Sequence, residues 1–205
     1  MKSRTMLAVA LGLASLACTT GEGEGEVKSE QLFVEDCWDG GFDLQPSFFG
    51  GNPFREQSLV IRVQRGDNLK EVSDGLNVLI SDLQAVRNGQ LGQTIRVGRP
   101  PGIVNTFEAD PSPVTLILYL HDTCHEQNGT LYSVGGTITF SSLFSGDPNE
   151  DDADDRLTEA EFSVEFVNPG DYGALVLGDG EVRTSIVEGW FRFFFQRGQP
   201  AQPFP

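Results

Sequence analysis

Few of the residues that do chemistry near neutral pH are present: 205 residues contain two histidines, His121 and His125, and three cysteines, Cys18, Cys37 and Cys124. On a helix the spacing of the two histidines, with Asp122, Cys124 and Glu126 around them, would suit a transition metal. The run VTLILYLHD reads instead as a strand ending in a loop, which makes them strand-end histidines. Basic residues are scarce as well, 14 Lys and Arg against 30 Asp and Glu, a formal charge of -16. Nucleic-acid binding needs Lys and Arg to neutralise phosphates, so that partner class is set aside. No G-x-S-x-G elbow, H-E-x-x-H or Gly-rich phosphate loop occurs, and the catalytic class left is a carboxylate-based hydrolase. No apolar run approaches the roughly 20 residues of a membrane-spanning helix.

What is present begins with a leader. Lys2 and Arg4 precede an apolar run over residues 6–17, and small residues lead up to Cys18, the parts of a secretory signal. Ser15-Leu16-Ala17-Cys18 resembles the lipobox of bacterial lipoproteins, which implies lipidation of Cys18 as the new N-terminus. Ser15 and Ala17 also suit the general signal peptidase, which would cut the same bond and give a soluble secreted chain. An exported protein tends to pair its cysteines. Cys37 and Cys124 both lie among foldable sequence and are the natural pair, which leaves Cys18 as a reactive thiol unless it is modified.

The sequence divides into a signal peptide (1–17), a flexible Gly/Glu linker (18–30) containing GEGEGE, one domain (31–197) and a Pro-containing tail (198–205). Removing the leader takes away two basic residues and no acids, so the charge moves from -16 to -18. Residues 101–195 hold three basic and seventeen acidic residues, an excess whose ordinary role is solubility.

The pattern is all-β. Residues 161–167 alternate strictly, with Phe162, Val164 and Phe166 on one face; 137–140 do the same. Residues 58–64 point Leu59, Ile61 and Val63 inward and Arg62 and Gln64 outward. Residues 114–120 are apolar at nearly every position, as in a central strand covered on both faces. Further strands are expected at 76–81, 94–97, 130–133 and 182–195. The segment 68–88 has partly helical spacing and is read as strand because of Asp74-Gly75 and Val78-Leu79-Ile80. Together these predict an antiparallel β-sandwich of Greek-key or jelly-roll kind.

Two stretches invite functional readings. In GWFRFFFQRG, Phe191, Phe193 and Phe195 share one strand face, and Trp190, Arg192 and Phe194 the other. One set should fill the core, and the second packs under a loop or forms an aromatic platform for sugars or peptides. The acidic run GDPNEDDADDR places Asp147, Asn149 and Asp151 at EF-hand spacing. Asp152 stands where that loop needs Gly, and Thr158 where it needs Glu. It is therefore no EF-hand, and Asp147, Asn149, Asp151 and Asp154 are candidate ligands of a calcium loop without fixed spacing, the alternative being a solvated acidic run.

The leader to Cys18, the early Cys37, LILYLHDTC, GGTITFSSLF with its acidic loop, and FFFQRGQPAQPFP together resemble uncharacterised β-rich lipoproteins of the myxobacterial kind. The resemblance implies a β domain at the bacterial outer membrane or periplasm and brings no catalytic residue. The expected function is an exported, lipid-anchored, non-catalytic structural or interaction module, with an envelope protein or glycan as partner; a calcium- or carbohydrate-binding module is the alternative.

Overall fold

The computed structural model describes residues 23–55, 57–66, 73–100, 111–124, 129–178 and 182–196. Cys18, His125 and the tail 198–205 lie outside them. In chain order the elements are β1 (Gly23–Val34), β2 (Trp38–Asp43), β3 (Phe48–Phe54), β4 (Ser58–Gln64), β5 (Asp74–Ile80), α1 (Leu83–Gly89), β6 (Thr94–Arg96), β7 (Val114–Leu120), β8 (Thr130–Ser142), α2 (Ala153–Arg156), β9 (Leu157–Val167), α3 (Pro169–Leu177) and β10 (Ser185–Phe194).

The all-β class is as expected, but the layers are not two. One 10-stranded sheet runs β2-β1-β10-β9-β8-β7-β5-β4-β3, with β6 paired to β8 off that path. Strands β3 to β10 form an up-and-down meander rather than a Greek key, and the N-terminal strand β1 adds to β10. The sheet curls into a half-barrel. Its far edges, β2 and β3, are joined only by residues 44–47, a link that spans about 18 Å at most. Leu44 donates its N–H to the Val27 carbonyl at 2.9 Å, and Ser47 to the Gln64 carbonyl at 3.0 Å. The rings of Phe49 and Phe193 stack across the interior with centroids 6.0 Å apart. The pairing of β8 with β9 is irregular, its register shifting between Phe140 and Ser142 and between Ser133 and Gly135. Bulges of this kind increase local twist, and Gly136 there has φ +101°, a region that favours glycine.

The concave face is the core. Leu59, Ile61 and Val63 of β4 meet Leu76, Val78 and Ile80 of β5, and these meet Val114, Leu116 and Leu118 of β7, all buried. β7 is buried on both faces except at Ile117, as its unbroken apolar run requires. Between β7 and β8 the ladder opens after Ile117–Tyr132, and the segment carrying β6 enters the gap, with Gly98 bridging Thr115 in parallel. The buried Ser133 hydroxyl closes the fork, accepting from the Leu116 N–H at 3.0 Å and donating to the Gly98 carbonyl at 2.7 Å.

Three expectations change. Residues 23–30 of the linker expected over 18–30 belong to β1, which pairs with β10 from Gly23 to Lys28. Gly23 and Gly25 face the core opposite Phe193 and Phe191, while Glu24 and Glu26 face outward, so residues 23–26 are an alternating strand with glycine on its inner face. In 68–88 the strand ends at Ile80 and a helix follows, because the Asp82 side chain caps it by accepting from the Ala85 N–H at 2.9 Å. Leu83 and Val86, three residues apart, are its buried positions. Arg62 and Gln64 do lie on the outer face, yet both are buried. The Arg62 guanidinium sits 5.9 Å from the Tyr119 ring centroid, and Gln64 Oε1 accepts from the Tyr119 hydroxyl at 3.3 Å.

β2, β3 and α3 were not expected. The α3 helix starts with Pro169 after Asn168 and ends at Gly178 in the left-handed conformation, φ +72°. It covers part of the outer face by setting Tyr172 edge-on to Tyr132, with centroids 6.1 Å apart.

Candidate functional site

Alternation puts Ile186, Glu188, Trp190, Arg192 and Phe194 of β10 on the outer face while Val187, Phe191 and Phe193 fill the interior. The Phe set is therefore the core set. The outward set is not packed under a loop: Ile186 is 60% exposed, Trp190 40% and Phe194 39%. Exposed large apolar side chains clustered on one face are the informative kind.

The rows across this face follow from the registers. Trp190 lies between Glu26 of β1 and Glu161 of β9, and Arg192 between Glu24 and Glu159. Glu188 lies between Lys28 and Ser163. Residues directly opposite in an antiparallel pair have Cβ atoms about 5 Å apart. Lys28 Nζ is 3.1 Å from Glu26 Oε1, and the Ser163 hydroxyl donates to Glu188 Oε1 at 3.2 Å. Among the described residues, no side chain bonds the carboxylates of Glu24, Glu159 or Glu161. The face thus offers a broad indole among carboxylates, with Lys28 and Arg192 as its cations.

The sequence pattern separated the two β10 faces but could not say which neighbours they have. Glu24 and Glu26 in particular lie in the stretch whose composition predicts a linker. The signal that could have placed them is the strict Gly-Glu alternation itself, a period of two.

The acidic run lies at the barrel end where β9 starts. Asp147 Oδ1 accepts from the Asn149 N–H at 2.8 Å, and Asp152 Oδ1 from the Asp154 N–H at 2.9 Å as the cap of α2. Asp155 pairs with Arg87 at 2.8 Å. Asp147 and Asp152 are thus engaged in local turns. Among the described residues no group of three or more His, Cys, Asp and Glu side chains is gathered as metal ligands would be.

Cys37 and Cys124 form a disulfide, with Cα atoms 5.7 Å apart. It ties the β1–β2 turn to the turn after β7. That second turn is also held by Asp74, which is 0% exposed. Its carboxylate accepts from the Asp122 and Thr123 N–H groups, each at 3.0 Å, and from the Thr123 hydroxyl at 2.5 Å. His121 stacks obliquely on Tyr119, with centroids 5.1 Å apart. Burial pushes the Tyr119 phenol up to about 12.

On the rim, Arg183 donates from Nη2 and Nη1 to the two oxygens of Asp39 at 2.7 and 2.9 Å. These bonds hold the Asp39 carboxyl below its ordinary value. Among the described residues, those lining a cleft of about 240 Å³, Gln90, Arg96, Ser112 and their neighbours, include no carboxylate.

Comparison of the chain with family models, with curated proteins and with solved structures found no match.

Proposed function

We propose that the protein is an exported, lipid-anchored interaction module of the bacterial envelope, held at a membrane through Cys18 and meeting its partner with the outer face of β1, β10 and β9. The observation that carries this reading is the exposure of Trp190, flanked by Ile186 and Phe194 on the same strand face. Aromatic side chains displayed in this way are the usual anchors of binding surfaces.

Two further features support it. A disulfide between Cys37 and Cys124 suits an oxidising compartment. Asp74, the buried carboxylate among the described residues, is bonded into the turn that carries Cys124. No helix among the described residues is long and apolar enough to cross a membrane. No more than four residues lie between Cys18 and Gly23, the first described residue of β1, a reach of about 18 Å at most. An anchored domain would therefore stand close to the lipid surface.

The test has two arms. Intact mass of the membrane-fraction protein should show a diacylglyceryl-sized increment that Cys18→Ala abolishes; an unmodified soluble chain would overturn the anchor. A photo-crosslinking amino acid in place of Trp190, activated in intact cells, should give a discrete adduct, and no adduct would overturn the interaction surface. The same exposed indole favours a second reading, a glycan platform, because sugar rings stack on Trp.

A further inference from the structure

We propose that the outer face of β1, β10 and β9 docks a basic, extended polypeptide segment, with a lysine or arginine side chain laid on Trp190 between Glu26 and Glu161. The inference rests on the interaction reading above and adds the chemistry of the partner.

Charge complementarity decides for a cation. In the Trp190 row both neighbours are carboxylates, and in the next row Arg192 stands between Glu24 and Glu159. A neutral ligand lying on Trp190 would strip water from Glu161, which no side chain bonds among the described residues, and burying an unpaired charge is strongly unfavourable. A lysine or arginine in the same place supplies the missing counter-charge. It also meets the face of the residue type that attracts cations best. The two effects act on one atom group, so the indole and the carboxylates work together.

Length decides for a polypeptide. Ile186, Trp190 and Phe194 recur every four residues along β10, and the eight steps from the first to the last span about 26 Å at 3.3 Å per residue. An extended segment of roughly eight residues matches that length and can place apolar side chains on Ile186 and Phe194 at either side of its central cation. A short polyamine reaches only part of the stripe and offers nothing to its apolar ends.

The test uses the full chain with fluorescein-labelled octalysine, followed by anisotropy at low and physiological salt. The expected result is saturable binding that Trp190→Ala weakens roughly tenfold, that Trp190→Phe partly restores, and that Glu26→Gln with Glu161→Gln weakens similarly. Asp151→Asn with Asp152→Asn, in the acidic run, should leave it unchanged. Thermal unfolding of each variant checks that it is folded. Equal affinity for wild type and Trp190→Ala, or loss in the Asp151/Asp152 variant instead, would show non-specific attraction to an acidic chain and overturn the proposal. Binding of chitohexaose or cellohexaose, lost in Trp190→Ala while octalysine is unaffected, would overturn it in favour of a glycan. Absence of octalysine binding alongside a crosslinked adduct at position 190 would remove the basic partner and leave the interaction surface standing; absence of both would remove the two together.

Discussion

Gly25 sits directly opposite Phe191 in the β1–β10 ladder, and both face the interior. A Cβ at Gly25 would lie 2.7 Å from the Trp190 carbonyl oxygen and 3.1 Å from the Phe191 Cα and Cβ, so the β10 main chain and the root of the Phe191 side chain occupy the volume that a side chain on β1 would need. Gly25→Val should cost about 1 to 3 kcal/mol, as overpacking of a filled core does. Glu24→Val, one residue away on the outer face, should change stability by less than about 0.5 kcal/mol. Urea denaturation of the two variants measures the contrast. A neutral Gly25→Val would mean that β1 does not dock on β10 as described.

The same pair shows why the sequence was legible in some places and not in others. In β4, β7 and β9 the inward positions are occupied by Leu, Ile, Val or Phe, so the period or the unbroken apolar run announces the strand. At the start of β1 the apolar contribution comes from the opposite strand and the inward residues, Gly23 and Gly25, are glycine; a composition-based reading then sees only flexibility. Gly40 and Gly41 in β2, and Gly50, Gly51 and Pro53 in β3, hide those strands in the same way. Curling one sheet and stacking two use an identical inward-outward alternation, so the pattern alone does not separate them. The Phe191 and Phe193 face was readable as core. The place of Glu26 beside Trp190 was not, since it depends on pairing between residues 164 apart in sequence.

Ser133 links β7 to the segment that follows β6 through one hydroxyl. Ser133→Ala would leave the Leu116 N–H and the Gly98 carbonyl without that partner in a buried site. The expected loss is about 1 to 3 kcal/mol, with faster amide hydrogen exchange at Leu116 than at its neighbours. Unchanged exchange at Leu116 would show that water or a shifted backbone replaces the hydroxyl.

The Cys37–Cys124 bridge closes a loop of 87 residues in sequence separation. In the chain-entropy model such a loop is worth about 4 to 5 kcal/mol. Replacing both cysteines by serine should lower the unfolding free energy by an amount of that order. Equilibrium denaturation with and without reductant checks it: the wild type should respond and the double variant should not. Equal sensitivity of both would place the effect of reductant elsewhere.

Tyr119 makes stability depend on alkaline pH. Its pKa is pushed up to about 12 by burial, with Arg62 opposing and Asp74 reinforcing the shift, while an unfolded tyrosine titrates near 10. Below pH 10 the phenol is neutral in both states and contributes no slope. Between about pH 10 and 12 the unfolded chain releases the proton first, so it binds fewer protons and stability falls as pH rises. The total is about 2 to 3 kcal/mol from the size of the shift. Tyr119→Phe should flatten this part of the stability-pH profile relative to wild type, and superimposable slopes would show that Tyr119 ionises freely.

Trp190 and Phe191 are chain neighbours with opposite duties. Phe191 is 0% exposed, and its ring packs obliquely against Phe162 and Phe193 with centroids 6.5 and 6.3 Å away. Phe191→Ala should cost about 3 to 5 kcal/mol through lost burial and the cavity left behind. Trp190→Ala removes a half-exposed ring from a face that already touches water and should stay within about 1 kcal/mol of wild type. Thermal unfolding of the pair reads the difference directly. A large destabilisation by Trp190→Ala would make the indole a structural residue and withdraw it as a contact for a partner, because an aromatic kept for packing has no need of the exposed position that β10 gives it.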